Sequence, residues 1–542
     1  MADLTAPPAA RDQLRLLLWL KWRLIWRTAG REGMSRLGLA AAAGFFVPGS
    51  LWIAWSLWVT ARTLGPHAED LHRAVLLGVH MMWILSPLVG IALGDTYDVR
   101  QLLAYPISRP TLLAALLGGA VLDPPVLLTL PTLAAVAFAV PGPPAVQAAA
   151  GLSVGLFFAH AVALNQAIAV ATAAAAQSRR ARDLVVVLAP LGLMLLLLAF
   201  QAAGRRGVRF DLEQFLTSQT WQVVAWLPPG LASRAVDAAY RGDWVESGAL
   251  LVGLVALAAL SATALVWAVR RTYEGEGLER TQTRRSLREP RRGGEVAGSL
   301  LPDPIGAVFA KQLRVALRDP FFKSRVLNLL YLLALVYFPL VAFRPPPRLL
   351  MFALVPAVVI LLFGQMPILG NLFGSDGEAT RFLFQSPCRR RDLLLGKNLA
   401  LLAVLLPFNA ALLSTLAALT GQWYALPGVL LRMGLGSVVL AAVGNFLSVW
   451  LPLRVVTRQG GLQQHSFARG CGYALIQLAA AAAGAVLLLP AMGLLAWAPP
   501  SWGTAAVPAA GAYVLMLYAA ALNQAARELQ RREEQIVHAL AA

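Results

Sequence analysis

The chain has 542 residues, 58% of them hydrophobic and only 13% charged, with a formal net charge of +19. A mean hydropathy of +0.65 excludes an ordinary soluble domain, and apolar runs of about twenty residues recur, the length that crosses a hydrocarbon core about 30 Å thick. A backbone in lipid satisfies its own hydrogen bonds, so these runs are helices and the fold class is an all-α polytopic membrane protein.

In chain order, residues 11–29 are too charged to span and read as an interfacial helix on the cytoplasmic surface. The N-terminus gives no sign of a cleavable signal peptide. A first span covers about 38–61 and a second about 74–94, joined by a short loop in which His67, Glu69, Asp70 and His72 read as a solvated turn rather than a metal site. A third span, about 111–140, is interrupted at Asp123-Pro124-Pro125, because proline lacks a helix donor and clashes with the preceding turn. The fourth span is about 145–176 and the fifth about 184–203. Residues 204–244, with WLPPG at 226–230, suit a re-entrant or interfacial helical hairpin. The sixth span is about 245–270.

Residues 271–302 are charged, lack apolar periodicity and form a cytoplasmic linker. An amphipathic helix follows, with Phe309, Leu313, Ala316 and Leu317 on one face and Lys311, Arg314 and Arg318 on the other, stopped by Asp319-Pro320. Six further spans are expected at about 326–343, 349–373, 399–419, 429–452, 471–493 and 506–526, then a charged helical tail. The domain organisation is thus a first six-span half (1–270), the linker (271–302) and a second six-span half (303–542).

An even number of spans per half gives both halves one orientation, related by an axis along the membrane normal. Placing both termini inside puts most of the 46 Lys and Arg on the cytoplasmic side, as the positive-inside rule requires. The positive charge therefore sets topology, and no nucleic-acid partner is implied. Abundant arginine, alanine and leucine fit a GC-rich bacterial genome, and so a bacterial inner membrane.

Two loops are the strongest internal echo. Residues 95–116 and 376–397 align without a gap and share Asp95/Asp376, Arg100/Arg381, Leu102/Leu383, Pro106/Pro387, Arg109/Arg390, Leu112/Leu393 and Leu113/Leu394. Each is a short basic interruption running to a proline, after which a basic residue opens the next helix. Arg100, Tyr105, Pro106 and Arg109 in the first, and Arg381, Pro387, Arg389, Arg390 and Arg391 in the second, are the candidates for docking a cytoplasmic partner.

Within the spans, Asp123 is the one acid placed well inside lipid. Such a group suggests a substrate contact or proton site, or a cap on the helix half that follows. Asn165 and Asn445 occupy comparable places in the two halves and are either interhelical hydrogen bonds or part of a substrate path; His80, His160, Gln365, Gln477 and Asn523 read chiefly as the former. Arg432, near the outer end of the tenth span, snorkels. Cys388 and Cys471 look like neither half a disulfide nor a metal site. No GxxxxGK[ST] sequence is present; LLLGKN at 393–398 lacks the first glycine and the Ser/Thr that would meet magnesium.

The AKQLRVALRDP helix at 310–320, the PISRPTLL and PCRRRDLL loops, the LPPG segment before the sixth span and the six-span repeat together resemble ATP-binding-cassette exporter permeases of the second type, including drug and antibiotic exporters with both halves fused. The resemblance covers nearly the whole chain, with KWRLIWRTAGREG in the N-terminal half departing from the cleaner RxxxRDP pattern. It implies a permease without its own ATPase site, ATP and magnesium held by a separate ATPase subunit in two copies, and alternating access. An amphiphilic or drug-like substrate is expected, since the spans carry few polar groups. Two other classes stay open: a secondary transporter, which calls for more intramembrane ionisable groups, and a membrane-embedded transferase, which calls for acids grouped at the interface, where only Glu69 and Asp70 offer themselves.

Overall fold

The computed structural model describes residues 9–31, 33–64, 68–88, 105, 107–175, 219–273, 301–319, 322–323, 325–326, 329–330, 333, 354–453, 457–458, 461–462, 467–497 and 503–541. The only strands among these are Thr457–Arg458 and Gly461–Leu462; everything else regular is helical. Among the described residues seven helices are long and apolar enough to cross a membrane, or eight when one bent pair counts as a single span. The chain is thus a helical membrane protein. Its helices fall into two compact units.

The first unit begins with α1 (Ala10–Arg31) and α2 (Gly33–Ala41), followed by a π-helical turn (Ala42–Phe46) and α3 (Val47–Leu64). The apolar stretch Arg36–Leu64 is one spanning candidate. Helix α4 (Glu69–Leu88) starts earlier than the expected second span. Its acidic first turn, which complements the helix dipole, absorbs Glu69, Asp70 and His72 into the helix, so the solvated turn expected there is replaced by a helix start. Residues 89–94 of that span lie outside the described set.

Helices α5 (Arg109–Val121) and α6 (Pro124–Phe138) are the two halves of the interrupted third span, bent by 75°. Pro124 and Pro125 occupy the first turn of α6, where their missing donors cost nothing, but they cannot continue α5. Helix α7 (Pro144–Ala175) matches the fourth span; the fifth lies outside the described residues.

The 204–244 segment supplies α8 (Gln219–Val224) and α9 (Pro228–Arg241), and α10 (Trp244–Tyr273) completes the unit. The glycine of LPPG is obligatory: a Cβ at Gly230 would sit 2.2 Å from the Val224 carbonyl oxygen. Helix α9 buries Ala232, Ala235, Val236, Ala238 and Ala239 against α4, α7 and α10. Gly242, at φ 78°, ends it with the left-handed turn that glycine adopts freely. The core of this unit gathers Leu57, Leu76, Leu133, Val136, Phe157, Val236 and Leu254.

The second unit holds α11 (Ile305–Arg318), α12 (Leu354–Leu369), a 3₁₀ turn (Gly377–Ala379), α13 (Thr380–Gln385), α14 (Arg390–Thr420), a second 3₁₀ turn (Trp423–Ala425) and α15 (Leu426–Trp450). It also holds Ile476–Trp497 of α16 (Phe467–Trp497) and all of α17 (Gly503–Ala541). Helix α11 forms where its amphipathic pattern places it. Helix α12 is shorter than the expected eighth span, and most of the seventh lies outside the described residues. The last span and the charged tail, expected as separate helices, are one continuous 39-residue helix.

Small residues let α12 and α15 touch backbone to backbone, as in membrane bundles generally. A Cβ at Gly444 would meet the Leu369 carbonyl oxygen at 2.5 Å. Leu361, Met366, Leu369, Phe373, Leu393, Leu405, Leu413 and Leu529 build the core.

Candidate coupling site

The second of the paired loops is held in place by buried charge. Asp376, at the start of its 3₁₀ turn, takes ion pairs from Lys311 of α11 at 2.7 Å and from Lys397 of α14. The lysine side chains are 40% and 1% exposed and the aspartate 4%. Lys397 Nζ also donates to the Leu372 carbonyl at 2.8 Å and to Gln312 Oε1 at 3.1 Å, and lies over the Phe373 ring. Every proton of its ammonium therefore has an acceptor, which is what allows a lysine to be buried. Burial alone would raise the Asp376 carboxyl, but Lys397 and Lys311 outweigh it and hold the group below its usual range.

The turn before Asp376 is clasped from α15. Asn371 Nδ2 donates to the Leu453 carbonyl at 2.9 Å, and Ser448 Oγ accepts from the Leu372 amide at 3.0 Å. Gly374 lies so close to Asn371 and Leu453 that a Cβ would sit 2.2 Å from each.

The other end of the loop is fastened by Arg390. Its guanidinium donates to the carbonyls of Phe384 at 2.6 Å and Cys388 at 3.0 Å, and pairs with Glu533 of α17. Nη2 reaches Glu533 Oε2 at 3.1 Å, so the contact is two-pronged. Between these anchors α13 turns Arg381, Phe382 and Gln385 outward, with Pro387, Arg389 and Arg391 exposed beyond it. Phe382 is 73% exposed.

Of the residues singled out in this loop, Arg381, Pro387, Arg389 and Arg391 thus form an exposed group, while Arg390 is used inside the chain. On α11, Lys311 turns inward to Asp376, Arg314 is half-buried and Arg318 is exposed. In the first loop Tyr105 is exposed; Arg100, Pro106 and the side chain of Arg109 lie outside the described residues.

Asp123 stands at the N-cap position of α6 but makes no capping hydrogen bond. The capping role weighed for it is corrected: its carboxylate pairs with Lys21 of α1 at 2.7 Å, the two side chains being 3% and 5% exposed. A buried lysine is a stronger partner than a backbone amide, and α1 packs along α5 to bring it there. Asn165 donates to the Trp83 carbonyl at 2.6 Å, joining α7 to α4. Asn445 accepts from Asn398 at 2.8 Å, and Asn398 also donates to Tyr518 at 2.9 Å, so α14, α15 and α17 meet at one polar hub. Arg432 bonds the Gly428 carbonyl at 3.0 Å.

Lys397, Gln312, Glu533, Asn398 and Tyr518 were not singled out from the sequence. Lys397 had a legible signal, a cation set between the apolar runs LLLG and LALLAVLL. The others had none, since their partners lie far away in the chain. No family model, curated protein or solved structure matches the chain.

Proposed function

We propose that the chain is the transmembrane permease subunit of an ATP-binding-cassette exporter, moving an amphiphilic substrate outward with a separate ATPase subunit present in two copies. One observation carries this reading: the loop from Asp376 to Arg391, with α13 in it, exposes Arg381, Phe382, Arg389 and Arg391 and is fastened before and after α13 by charged contacts to α11, α14 and α17. An element that transmits force must be exposed to its partner and stiff toward the spans. In this reading Arg381, Arg389 and Arg391 meet acidic groups or helix C-termini of the partner, where charge-assisted bonds are strong, and Phe382 is an apolar anchor of the kind that dominates interfaces. ATP and magnesium belong to the partner, and the bacterial inner membrane with both termini cytoplasmic is the setting.

The experiment is co-expression with a lone ATPase encoded beside the gene. The complex should hold two ATPase copies and hydrolyse ATP, and the purified chain alone should not. Arg389→Glu/Arg391→Glu should keep the chain folded and weaken the complex at least tenfold. Hydrolysis by the isolated chain, or an unaltered complex in that variant, would count against the reading. A secondary transporter is favoured by a different observation, the buried His80–His160 pair; transport that persists without any ATPase would select it.

A further inference from the structure

We propose that His80 and His160 form a proton-binding site where α4 crosses α7, and that taking up the proton drives these helices apart. The two imidazoles lie face to face, 5.4 Å between centroids and 20° from parallel. Both are buried, as is Ser261, which reaches the pair from α10. Phe157 packs on the His80 ring at 5.8 Å. Helices α7 and α10 are both long and apolar enough to cross a membrane.

Ser261 Oγ lies 2.7 Å from His160 Nδ1, and either atom can be the donor. The same hydroxyl reaches the Leu257 carbonyl at 3.0 Å, and that carbonyl, which only accepts, lies 3.3 Å from Nδ1. With the hydroxyl given to Leu257, Nδ1 carries the hydrogen and His160 Nε2 is a bare lone pair. Among the described residues neither Nε2 nor His80 Nδ1 has a hydrogen-bond partner. Orphaned buried polar atoms are rare and call for an explanation; here two occur side by side.

The ligand that fits is the smallest. A metal ion takes the lone pair in the plane of the ring, whereas these rings turn their faces to each other, and no group of three or more metal-ligating side chains occurs among the described residues. A proton needs one lone pair and no volume, and imidazole is the side chain that binds it near neutral pH.

Among the described residues an imidazolium at this place would find no free counter-charge. On α4, Arg73 pairs with Glu69 and Asp70, with His72 beside them, and lies about 10 Å along the helix from His80. Helix α9 brings Arg234, Asp237, Tyr240 and Arg241, and α10 brings Glu246 and, at its far end, Arg270 and Arg271. Of these, Arg241 pairs with Asp237 and Arg234 with Glu246. Helix α6 carries no charged side chain, and Asp123 before it is held by Lys21. Helix α5 opens on Arg109, and α7 carries only His160.

Burying an unpaired charge among apolar side chains is strongly disfavoured. Proton uptake and tight α4–α7 packing therefore oppose each other, and acid favours the arrangement in which the helices part. In the second unit, α12 crosses α15 with Gln365 and Ser437 in contact at 3.1 Å. Those groups do not titrate, so the effect belongs to the first unit.

The test uses the full chain in lipid nanodiscs with ¹⁵N-labelled histidine, six in all. At pH 7.5 His160 should carry its hydrogen on Nδ1 alone. Toward pH 5.0 the pair should gain one proton, and the opening constant across 76–84, taken as the amide exchange rate divided by the intrinsic rate at each pH, should rise by up to about tenfold per pH unit, the slope for one proton. His80→Gln/His160→Gln should abolish that rise. The proposal is overturned if neither imidazole of the folded wild type changes state over this range, or if the opening constant across 76–84 responds equally in the double variant.

Discussion

Both units place a lysine of an amphipathic N-terminal helix on a buried aspartate, and they use the pair differently. In the first unit Lys21 reaches Asp123 at the break between α5 and α6. In the second, Lys311 and Lys397 share Asp376, and the anion belongs to the exposed loop itself. The first arrangement neutralises a carboxylate at a bend. The second ties the helix to an exposed loop and leaves a surplus positive charge beside it. Matched helices thus do not guarantee matched contacts: what an amphipathic helix holds depends on where its partner sits.

The largest expected effect separates the two pairs. Asp376→Ala strands two lysines, one fully buried, and should cost about 3–5 kcal/mol of stability, the range for breaking a buried pair. Asp123→Ala breaks one buried pair and should cost about 3 kcal/mol, at the low end of the same range. Lys21→Met/Asp123→Leu should return to wild-type stability or exceed it, as apolar replacements of buried pairs often do. Chemical denaturation in detergent measures all three; equal losses at the two aspartates would dissolve the contrast.

Next comes Arg390→Gln. Losing its charged contacts to α17 should cost about 1.5–3 kcal/mol and increase amide exchange over 380–389, while α5 and α6 stay unchanged. Protection of that stretch in the variant would show that the loop does not need the Glu533 link.

A third test compares the helix crossings. On α14, a Cβ at Gly396 would lie 2.9 Å from the Val308 side chain and 3.0 Å from the Ile305 carbonyl; on α5, one at Gly118 would meet only the Leu18 methyls, at 3.2 and 3.8 Å. Gly396→Ala should cost about 1–3 kcal/mol by overpacking. Gly118→Ala should be nearly neutral, a small shift of Leu18 being offset by the ~1 kcal/mol helix preference of alanine over glycine. Thermal midpoints of the two variants decide it.

The smallest effect is the acid limb. Asp376 is held below its ordinary value of 3.8, so it binds fewer protons folded than unfolded near that pH. Its stabilising contribution is complete above 3.8 and is lost as pH falls through the depressed value. The stability gap between wild type and Asp376→Asn should be flat from pH 7 to 5 and close only in stronger acid; a gap that closes by pH 5 would mean the lysines do not hold the proton off.

Features set by local pattern were legible in the sequence. The amphipathic period of 305–318 gave α11, and Pro124-Pro125 gave the 75° bend. The LPPG turn was readable as a hairpin. What was not legible depends on distant pairing. Asp123 looked like a cap because its neighbours in sequence are prolines, and nothing near it pointed to Lys21. Arg390 looked like one more surface arginine in PCRRR, although Glu533 takes it inside. Asn165 and Asn445 occupy comparable positions, yet one bonds a backbone carbonyl and the other a side chain, a distinction that periodicity does not carry.

Helix α17 is also a lever. It runs unbroken from Gly503 to Ala541, and its internal proline, Pro508, lies near the end away from the tail. Tyr518 fixes it to the hub with Asn398, and Glu533 stands about 22 Å further along at 1.5 Å per residue. With a fulcrum at Tyr518, a tilt of about 10° would carry Glu533 through about 4 Å. A modest rocking of the helix within the bilayer would therefore tug Arg390, and with it α13, by the width of a side chain, and a pull on α13 would be felt in reverse, reduced to a small rotation deep among the spans.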